Sequence, residues 1–132
     1  MLPVNDLITI AKARLEDAKA LNASSRFDGA IYLGGYAVEI ALKVKICHTL
    51  SWKEFPSSKG EFQSYTSFKT HDLDVLLHLC GVEQQVKTAH MTEWSFVAQW
   101  NPELRYRPIG STTAQEAIDL IQAADVLVSI LC

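Results

Sequence analysis

The fold of this chain is decided by residues 28–50, DGAIYLGGYAVEIALKVKICHTL, which read as one long helix. Apolar residues recur there at three- and four-residue steps on more than one side. A helix that is apolar around most of its circumference is usually central to its domain. Two adjacent glycines, Gly34 and Gly35, each cost roughly 1 kcal/mol in a helix interior. We expect a neighbouring helix backbone to approach closely at this point, with a kink as the alternative.

Amphipathic helices are predicted at both ends of the chain. The first runs from Asn5, its expected N-cap, to about Ala23, with apolar residues on one face. The last begins after Thr113 and Glu116, whose spacing is that of a capping box. Its apolar residues follow a 3-4-3-4-3 spacing, which suits either packing inside a bundle or a dimer seam.

The middle of the chain combines a long loop with shorter helices. Residues 51–70 contain five serines, a proline and a glycine, so neither a long helix nor an alternating strand pattern fits them. His71 and Asp72 open a short helix, and residues 82–100 predict one further helix. The sequence therefore predicts a single all-α domain over residues 1–132, an antiparallel up-and-down bundle of four to five helices with a long loop between the second and third helices.

Composition excludes several classes of protein. Of the 132 residues, 48% are hydrophobic and 20% are charged, which is typical of a globular domain and not of a disordered chain. The formal net charge is −3, so contact with nucleic acid would have to come from a local cluster of cations. Three cysteines do not make a disulfide framework, and no signal peptide or apolar span is evident. We expect a cytoplasmic protein that does not span a membrane.

The sequence contains no catalytic or metal-binding motif of known spacing. It lacks GxGxxG, a P-loop, GxSxG, HExxH and CxxC. Zinc-type ligands do occur in Cys47-His48 and His78-x-Cys80, but adjacent residues on a helix point about a quarter turn apart. We therefore predict no metal site and no cofactor, with the thiols in the core and the histidines on the surface.

Polar and aromatic residues form a stripe on the central helix. Tyr32, Tyr36, Glu39 and Lys43 recur at i, i+4, i+7 and i+11, which places them on one face. One interpretation is a surface ion pair between Glu39 and Lys43, and the other is a polar face beside a binding cleft. His71 is a further candidate, either as a general base or as a residue that only precedes a helix cap.

The segment WNPELRYRP, residues 100–108, directly precedes the last helix. Its two arginines flank Tyr106. Guanidinium groups bind phosphates, helix N-termini attract anions and tyrosine rings stack on bases, so the segment is a candidate for binding nucleotide or RNA. Alternatively, Arg105 ties the segment to Glu39 or Glu103 while Tyr106 plugs the end of the bundle. The predicted binding face comprises Glu39, Lys43, His71, Arg105, Tyr106 and Arg107.

Aromatic residues in the long loop alternate with lysines. Such a pattern can stack single-stranded RNA, or the rings can anchor the loop to the bundle, which is the role that we expect. The residues are Trp52, Phe55, Phe62, Tyr65 and Phe68.

The chain resembles a HEPN domain, the small all-α domain of prokaryotic toxin–antitoxin and defence systems. The resemblance rests on the amphipathic first helix, AIYLGGYAVEIALK at 30–43, KTHDLDVLL at 69–77 and WNPELRY at 100–106 before the terminal helix. It implies a helical bundle that often dimerises and that associates with nucleotides or RNA. It also implies a nucleotidyltransferase-type protein as a partner.

The ribonuclease branch of that family carries an arginine followed, after four to six residues, by a histidine. No arginine of this chain has a histidine at that spacing. RNA cleavage without a metal needs an acid and a base at the reacting oxygens. The resemblance therefore implies a non-catalytic nucleotide- or RNA-associated binding module, in which Arg105 is the retained half of the motif. The alternatives are a divergent ribonuclease that uses His71 with Arg105, and a purely structural dimerising subunit.

Overall fold

Six α-helices form the bundle in a computed structural model that describes residues 1–132. They are α1 (Val4–Ala23), α2 (Phe27–Leu50), α3 (Leu73–Leu79), α4 (Glu83–Ala89), α5 (Met91–Val97) and α6 (Ala114–Leu131). The predicted all-α bundle is confirmed. None of the helices is both long enough and apolar enough to cross a membrane.

The helix α2 lies at the centre because it is buried on most of its sides. Thirteen of its 24 residues are buried, which includes both faces of the helix. The helices α1 and α6 pack along it and contribute most of the remaining core. The predicted central position of this helix follows directly from its apolar circumference.

The direction of α6 follows from its contacts with α1. Lys19, near the end of α1, lies 3.1 Å from Asp125 of α6. Lys12, earlier in α1, lines the same cleft as Cys132 at the end of α6. The two helices are therefore antiparallel, and α6 runs in the same direction as α2, as in an up-and-down bundle.

The apolar spacing of α6 is explained by packing inside the chain. Its buried side chains face the core formed with α2 and α1. They are Ala117, Leu120, Ile121, Ala123, Ala124, Leu127, Val128 and Leu131. Packing inside the bundle therefore accounts for the 3-4-3-4-3 spacing. The apolar side of α6 is covered by α1 and α2 and is not available to a second chain.

Two details of the helices differ from prediction. The N-cap of α1 is Pro3 and not Asn5, and no side chain caps this helix. The N-cap therefore lies two residues earlier, at a proline whose extended backbone (φ −60°, ψ 141°) has the geometry that an N-cap requires. The predicted helix over 82–100 is two helices, because the backbone at His90 has φ −132° and interrupts the helical geometry between α4 and α5.

The segment 51–70 is more structured than a loop. Its β2 (Glu54–Phe55) pairs antiparallel with β1 (Leu2–Pro3), and two short 3-10 helices follow at Glu61–Ser64 and Thr66–Phe68. The expectation that the chain has no strand is therefore wrong at these four residues. A strand of two residues is too short to show an alternating pattern in the sequence.

The aromatic rings of segment 51–70 pack against one another and against the bundle. The ring of Trp52 lies 5.1 Å from that of Tyr65 and 5.2 Å from that of Phe68, measured between centroids. Phe55 is 1% exposed and belongs to the main core. The rings thus anchor the segment, as expected from the sequence.

The adjacent glycines of α2, Gly34 and Gly35, are approached by side chains and not by a helix backbone. A Cβ atom at Gly34 would lie 2.7 Å from Cδ2 of Leu120, and one at Gly35 would lie 2.1 Å from Cδ1 of Trp100. The close approach expected from the sequence therefore exists, but the neighbour at Gly35 is an indole ring from the segment after α5.

Candidate functional site

The polar and aromatic stripe of α2 forms a continuous face. The rings of Tyr32 and Tyr36 are stacked, with centroids 6.3 Å apart and planes inclined by 13°. Glu39 and Lys43 continue the same face toward the end of the helix. From Tyr32 to Lys43 the face is about 16 Å long, at a rise of 1.5 Å per residue.

Glu39 is a buried carboxylate in an otherwise apolar part of the helix, with 1% of its surface exposed. Its Oε2 accepts a hydrogen bond from Nζ of Lys43 at 3.2 Å. Its Oε1 lies 2.9 Å from Nδ1 of His71. A buried carboxylate needs such partners because it has lost its hydration. The interpretation as a surface ion pair is therefore wrong about the burial, although the pair with Lys43 exists.

His71 precedes α3, where Asp72 caps the helix by accepting hydrogen bonds from the backbone N–H groups of Asp74 and Val75. An ionised carboxylate cannot donate a hydrogen bond, so Nδ1 of His71 carries the proton and donates it to Glu39. In the neutral ring, Nε2 is then a hydrogen-bond acceptor. The side chain is 65% exposed, and Nε2 has no partner in the chain. His71 thus presents Nε2 to solvent, as an acceptor when the ring is neutral and as a donor when it is protonated.

Lys43 is not a free cation. Besides its hydrogen bond to Glu39, its Nζ lies 5.5 Å from the centroid of the Phe55 ring, and 16% of its side chain is exposed. Its charge is therefore used to balance the buried carboxylate. Of the predicted binding residues at this end of the stripe, only His71 is presented to a ligand.

Arg105 and Tyr106 lie at the other end of the stripe, in a 3-10 helix formed by Pro102–Tyr106. The guanidinium carbon of Arg105 is 4.8 Å from the centroid of the Tyr106 ring. The pKa of Arg105 is raised by its neighbours, chiefly by the hydroxyl of Tyr106 and next by that of Tyr32. Arg105 therefore lies close to Tyr32, the first residue of the α2 stripe.

The alternative roles considered for this segment do not occur. Arg105 forms no ion pair with Glu39 or Glu103, and Tyr106 is 71% exposed and so does not plug the bundle. The buried aromatic residue at this end is Trp100, which packs against Gly35 and lies 6.1 Å from the Tyr32 ring. A cleft of about 270 Å³ opens beside Trp100 and is also lined by Arg107.

Asp28 fixes the loop that follows Arg107. Its carboxylate accepts hydrogen bonds from the backbone N–H of Gly110 at 2.7 Å and of Thr112 at 3.1 Å. The Gly110 hydrogen bond is the largest cause of a lowered pKa of Asp28, followed by Thr112, and the charge of Arg107 adds to the effect. Sequence reasoning missed this residue, because an aspartate in the first turn of a helix is common for electrostatic reasons alone.

The six predicted residues therefore form two groups on one face. Arg105 neighbours Tyr32, whereas His71 is bonded to Glu39, seven residues further along α2. The separation of these two points along the helix is about 10 Å. Arg105 and His71 therefore meet the stripe at two different positions along α2.

The cysteines and the remaining histidines do not form a metal centre. Cys47 and Cys80 are buried, His48 and His78 are exposed, and no three His, Cys, Asp or Glu side chains are arranged to hold a metal ion. Burial raises the pKa of Cys47 to about 11 and also raises the pKa of Cys80. These thiols are protonated near neutral pH and belong to the core.

Comparison with protein-family models, with curated proteins and with solved structures finds no match to this chain. The function is therefore inferred from the side of α2 on which Arg105 and His71 lie.

Proposed function

We propose that this chain is a non-catalytic binding module for RNA or nucleotides, of the HEPN type that its sequence resembles. The observation that carries the proposal is the position of the Arg105 guanidinium over the exposed ring of Tyr106, near the start of the α2 stripe. Guanidinium groups bind phosphate oxygens through paired hydrogen bonds, and an exposed tyrosine ring stacks on a base. One short segment thus offers partners to both parts of a nucleotide.

The length of the face favours a single strand over a mononucleotide. Arg105 and His71 meet the α2 stripe at points about 10 Å apart, whereas stacked nucleotides repeat about every 3.4 Å along one strand. A strand whose phosphate is bound by Arg105 would therefore continue past Tyr32 and Tyr36 toward His71. Arg107 and the adjacent cleft provide a second cation and additional space at the arginine end.

Substitution of Arg105 tests the proposal. We expect Arg105→Ala to weaken the binding of labelled single-stranded RNA by at least about tenfold, since a hydrogen bond to a charged group contributes about 1.5–3 kcal/mol. Fluorescence anisotropy measures the change. The matched control is Lys12→Ala, which removes one positive charge from the exposed surface of α1, on the side of the cleft shared with α6. Equal affinities of the two variants would contradict the assignment of Arg105.

A divergent ribonuclease that uses His71 with Arg105 is the second candidate. The hydrogen bond from His71 to Glu39 favours it, because a carboxylate that fixes Nδ1 leaves Nε2 able to take up a proton. The residues of α2 that these two groups meet, Tyr32 and Glu39, are about 10 Å apart along the helix axis, which disfavours joint action at one phosphate. RNA recovered from the binding measurements and analysed on a gel distinguishes the candidates, since the binding module leaves it intact.

The resemblance alone supports three further proposals. They are a homodimer, a nucleotidyltransferase-type partner and a place in a toxin–antitoxin or defence system of the cytoplasm. The apolar side of α6 is already used inside the bundle, so a dimer would have to bury other surface. Light scattering of the purified chain measures its oligomeric state, and a purely structural dimerising subunit would form the dimer without binding RNA.

A further inference from the structure

Glu39 is the only charged side chain of the 132 residues that is buried. Lys43 balances its charge through Oε2, and this leaves Oε1 for His71 alone. Desolvating a carboxylate is unfavourable, and one cation would suffice to pair it. The second oxygen has a separate effect, because it fixes the orientation and the tautomer of an imidazole that is 65% exposed.

A second histidine of the same chain shows what is particular to His71. His78 also places Nδ1 near a carboxylate, 3.0 Å from Oε2 of Glu83. In that pair both side chains are accessible, at 79% and 33% exposure, so water competes for the carboxylate and the ring can rotate away. Glu83 is also hydrogen-bonded by its i+4 lysine, Lys87, as Glu39 is by Lys43. The two pairs differ in burial, because Glu39 is enclosed and water does not compete for the oxygen that His71 contacts.

We propose that Nε2 of His71 accepts a hydrogen bond from a ribose 2′-hydroxyl of a strand bound along the α2 stripe, and that Glu39 is the positioning residue. This inference rests on the proposed RNA-binding function. When the ring is neutral, the chemistry selects the hydroxyl over the backbone phosphate, because an ionised phosphate has no proton to donate to Nε2. DNA has no 2′-hydroxyl, which is the group by which proteins distinguish RNA from DNA. His71, oriented by Glu39, would therefore make this face bind RNA in preference to DNA.

The position of His71 on the face is consistent with this role. It lies about 10 Å along α2 from the point where Arg105 meets Tyr32. At about 3.4 Å per stacked nucleotide, a strand anchored by its phosphate at Arg105 would bring a sugar two or three nucleotides further along to His71. The two groups would thus read different parts of one strand.

Three labelled oligouridylates of equal length test the inference when they differ only at the 2′ position, as hydroxyl, fluoro or hydrogen. The fluoro form keeps an RNA-like sugar but cannot donate a hydrogen bond, so it separates sugar shape from recognition of the hydroxyl. We expect the native chain to bind the hydroxyl form about threefold to tenfold more tightly than the other two, the effect of one hydrogen bond. His71→Ala and His71→Phe should bind all three equally.

Two further variants complete the design. His78→Ala is the matched control and should keep the native preference, since it removes another largely exposed histidine that is paired with a carboxylate. Glu39→Gln should reduce the preference, because the amide can donate to Nδ1 and so release the tautomer. His71 is largely exposed, so its variants test the inference even where Glu39→Gln fails to fold.

The outcomes separate this inference from the proposed function. A preference for the hydroxyl form that survives in His71→Ala overturns the inference, and so does an equal loss of affinity for all three strands in that variant. If Arg105→Ala weakens binding of all three strands but the native chain has no preference among them, only this inference fails. If the native chain binds none of them, the proposed function and the inference both fail.

Discussion

Gly35 shows at the scale of a single residue how the bundle is closed beside the candidate site. The indole of Trp100 lies directly on the α2 backbone there, and Trp100 is 3% exposed. The same indole is a neighbour of Tyr32, which in turn contacts Arg105. Because Gly35 has no side chain, Trp100 can pack against α2 and beside Tyr32, the first residue of the stripe.

Gly35→Ala should destabilise the chain, although alanine is the better helix former. The new Cβ would meet three indole atoms within 2.1–2.3 Å, and the rigid, buried ring cannot give way. Overpacking of this kind lowers the free energy of unfolding by about 1–3 kcal/mol, which exceeds a gain in helix propensity of about 1 kcal/mol. Urea denaturation measures the difference.

Gly60→Ala is the control for that measurement, since no atom lies within 4 Å of a Cβ at this position. Its unfolding free energy should stay within about 0.5 kcal/mol of the native value. A Gly35→Ala protein as stable as Gly60→Ala would show that Trp100 does not pack against α2 as described.

The contacts of Glu39 show what could and could not be predicted at the scale of single residues. Helical spacing correctly placed Glu39 beside Lys43, because i, i+4 neighbours share a face. No spacing relates Glu39 to His71, which is 32 residues away, and their contact depends on how α3 joins α2. The candidate residues were therefore predictable, but the bond that orients the imidazole was not.

At the scale of elements, the capped helices were the most predictable. Asp72 caps α3, and Thr113 with Glu116 forms a complete capping box on α6, because caps are local interactions that the sequence spells out. The loop between Arg107 and α6 is different. It is tied to the first turn of α2 through Asp28, more than 80 residues away in the chain.

Asp28→Asn should loosen that loop. The amide has one acceptor oxygen where the carboxylate has two, so either Gly110 or Thr112 loses its partner, and its N–H should exchange with solvent about fivefold to tenfold faster. Hydrogen exchange followed by NMR measures this. Asp6→Asn, in the first turn of α1, is the control and should leave both amides unchanged.

The same contact defines a pH dependence. The hydrogen bonds depress the pKa of Asp28 in the folded chain below its usual value of about 3.9. The tether is therefore complete above that value and is lost as the pH falls through the lower folded-state pKa. The amide shift of Gly110 should titrate with a midpoint below 3.9, and a midpoint at or above 3.9 would contradict the tether.

At the scale of the whole molecule, the charge is small and locally arranged. The net charge is −3, Lys43 is engaged by Glu39, and Arg105 and Arg107 remain exposed on the proposed face. A strand bound there would have few of its phosphates neutralised. Recognition would depend on stacking and hydrogen bonds more than on bulk electrostatic attraction.

The salt dependence of RNA binding measures that balance. Two phosphate contacts predict a slope of about −1.4 for log K against log salt concentration, at about −0.7 per contact on single strands. Arg105→Ala should reduce the slope by about 0.7, while Lys12→Ala should leave it unchanged. A slope much steeper than −1.4 would indicate a larger basic surface than the two arginines.

The sequence by itself determined the helical class, the central position of α2 and the stripe that carries Tyr32, Tyr36, Glu39 and Lys43. These follow from periodicity and capping, which act over one or two helical turns. Only the tertiary structure decided that Glu39 is buried, that it orients His71, that Asp28 fixes the arginine loop and that Trp100 covers Gly35. Each of these joins residues distant in sequence, and such contacts are set by the packing of whole helices, which no local pattern encodes.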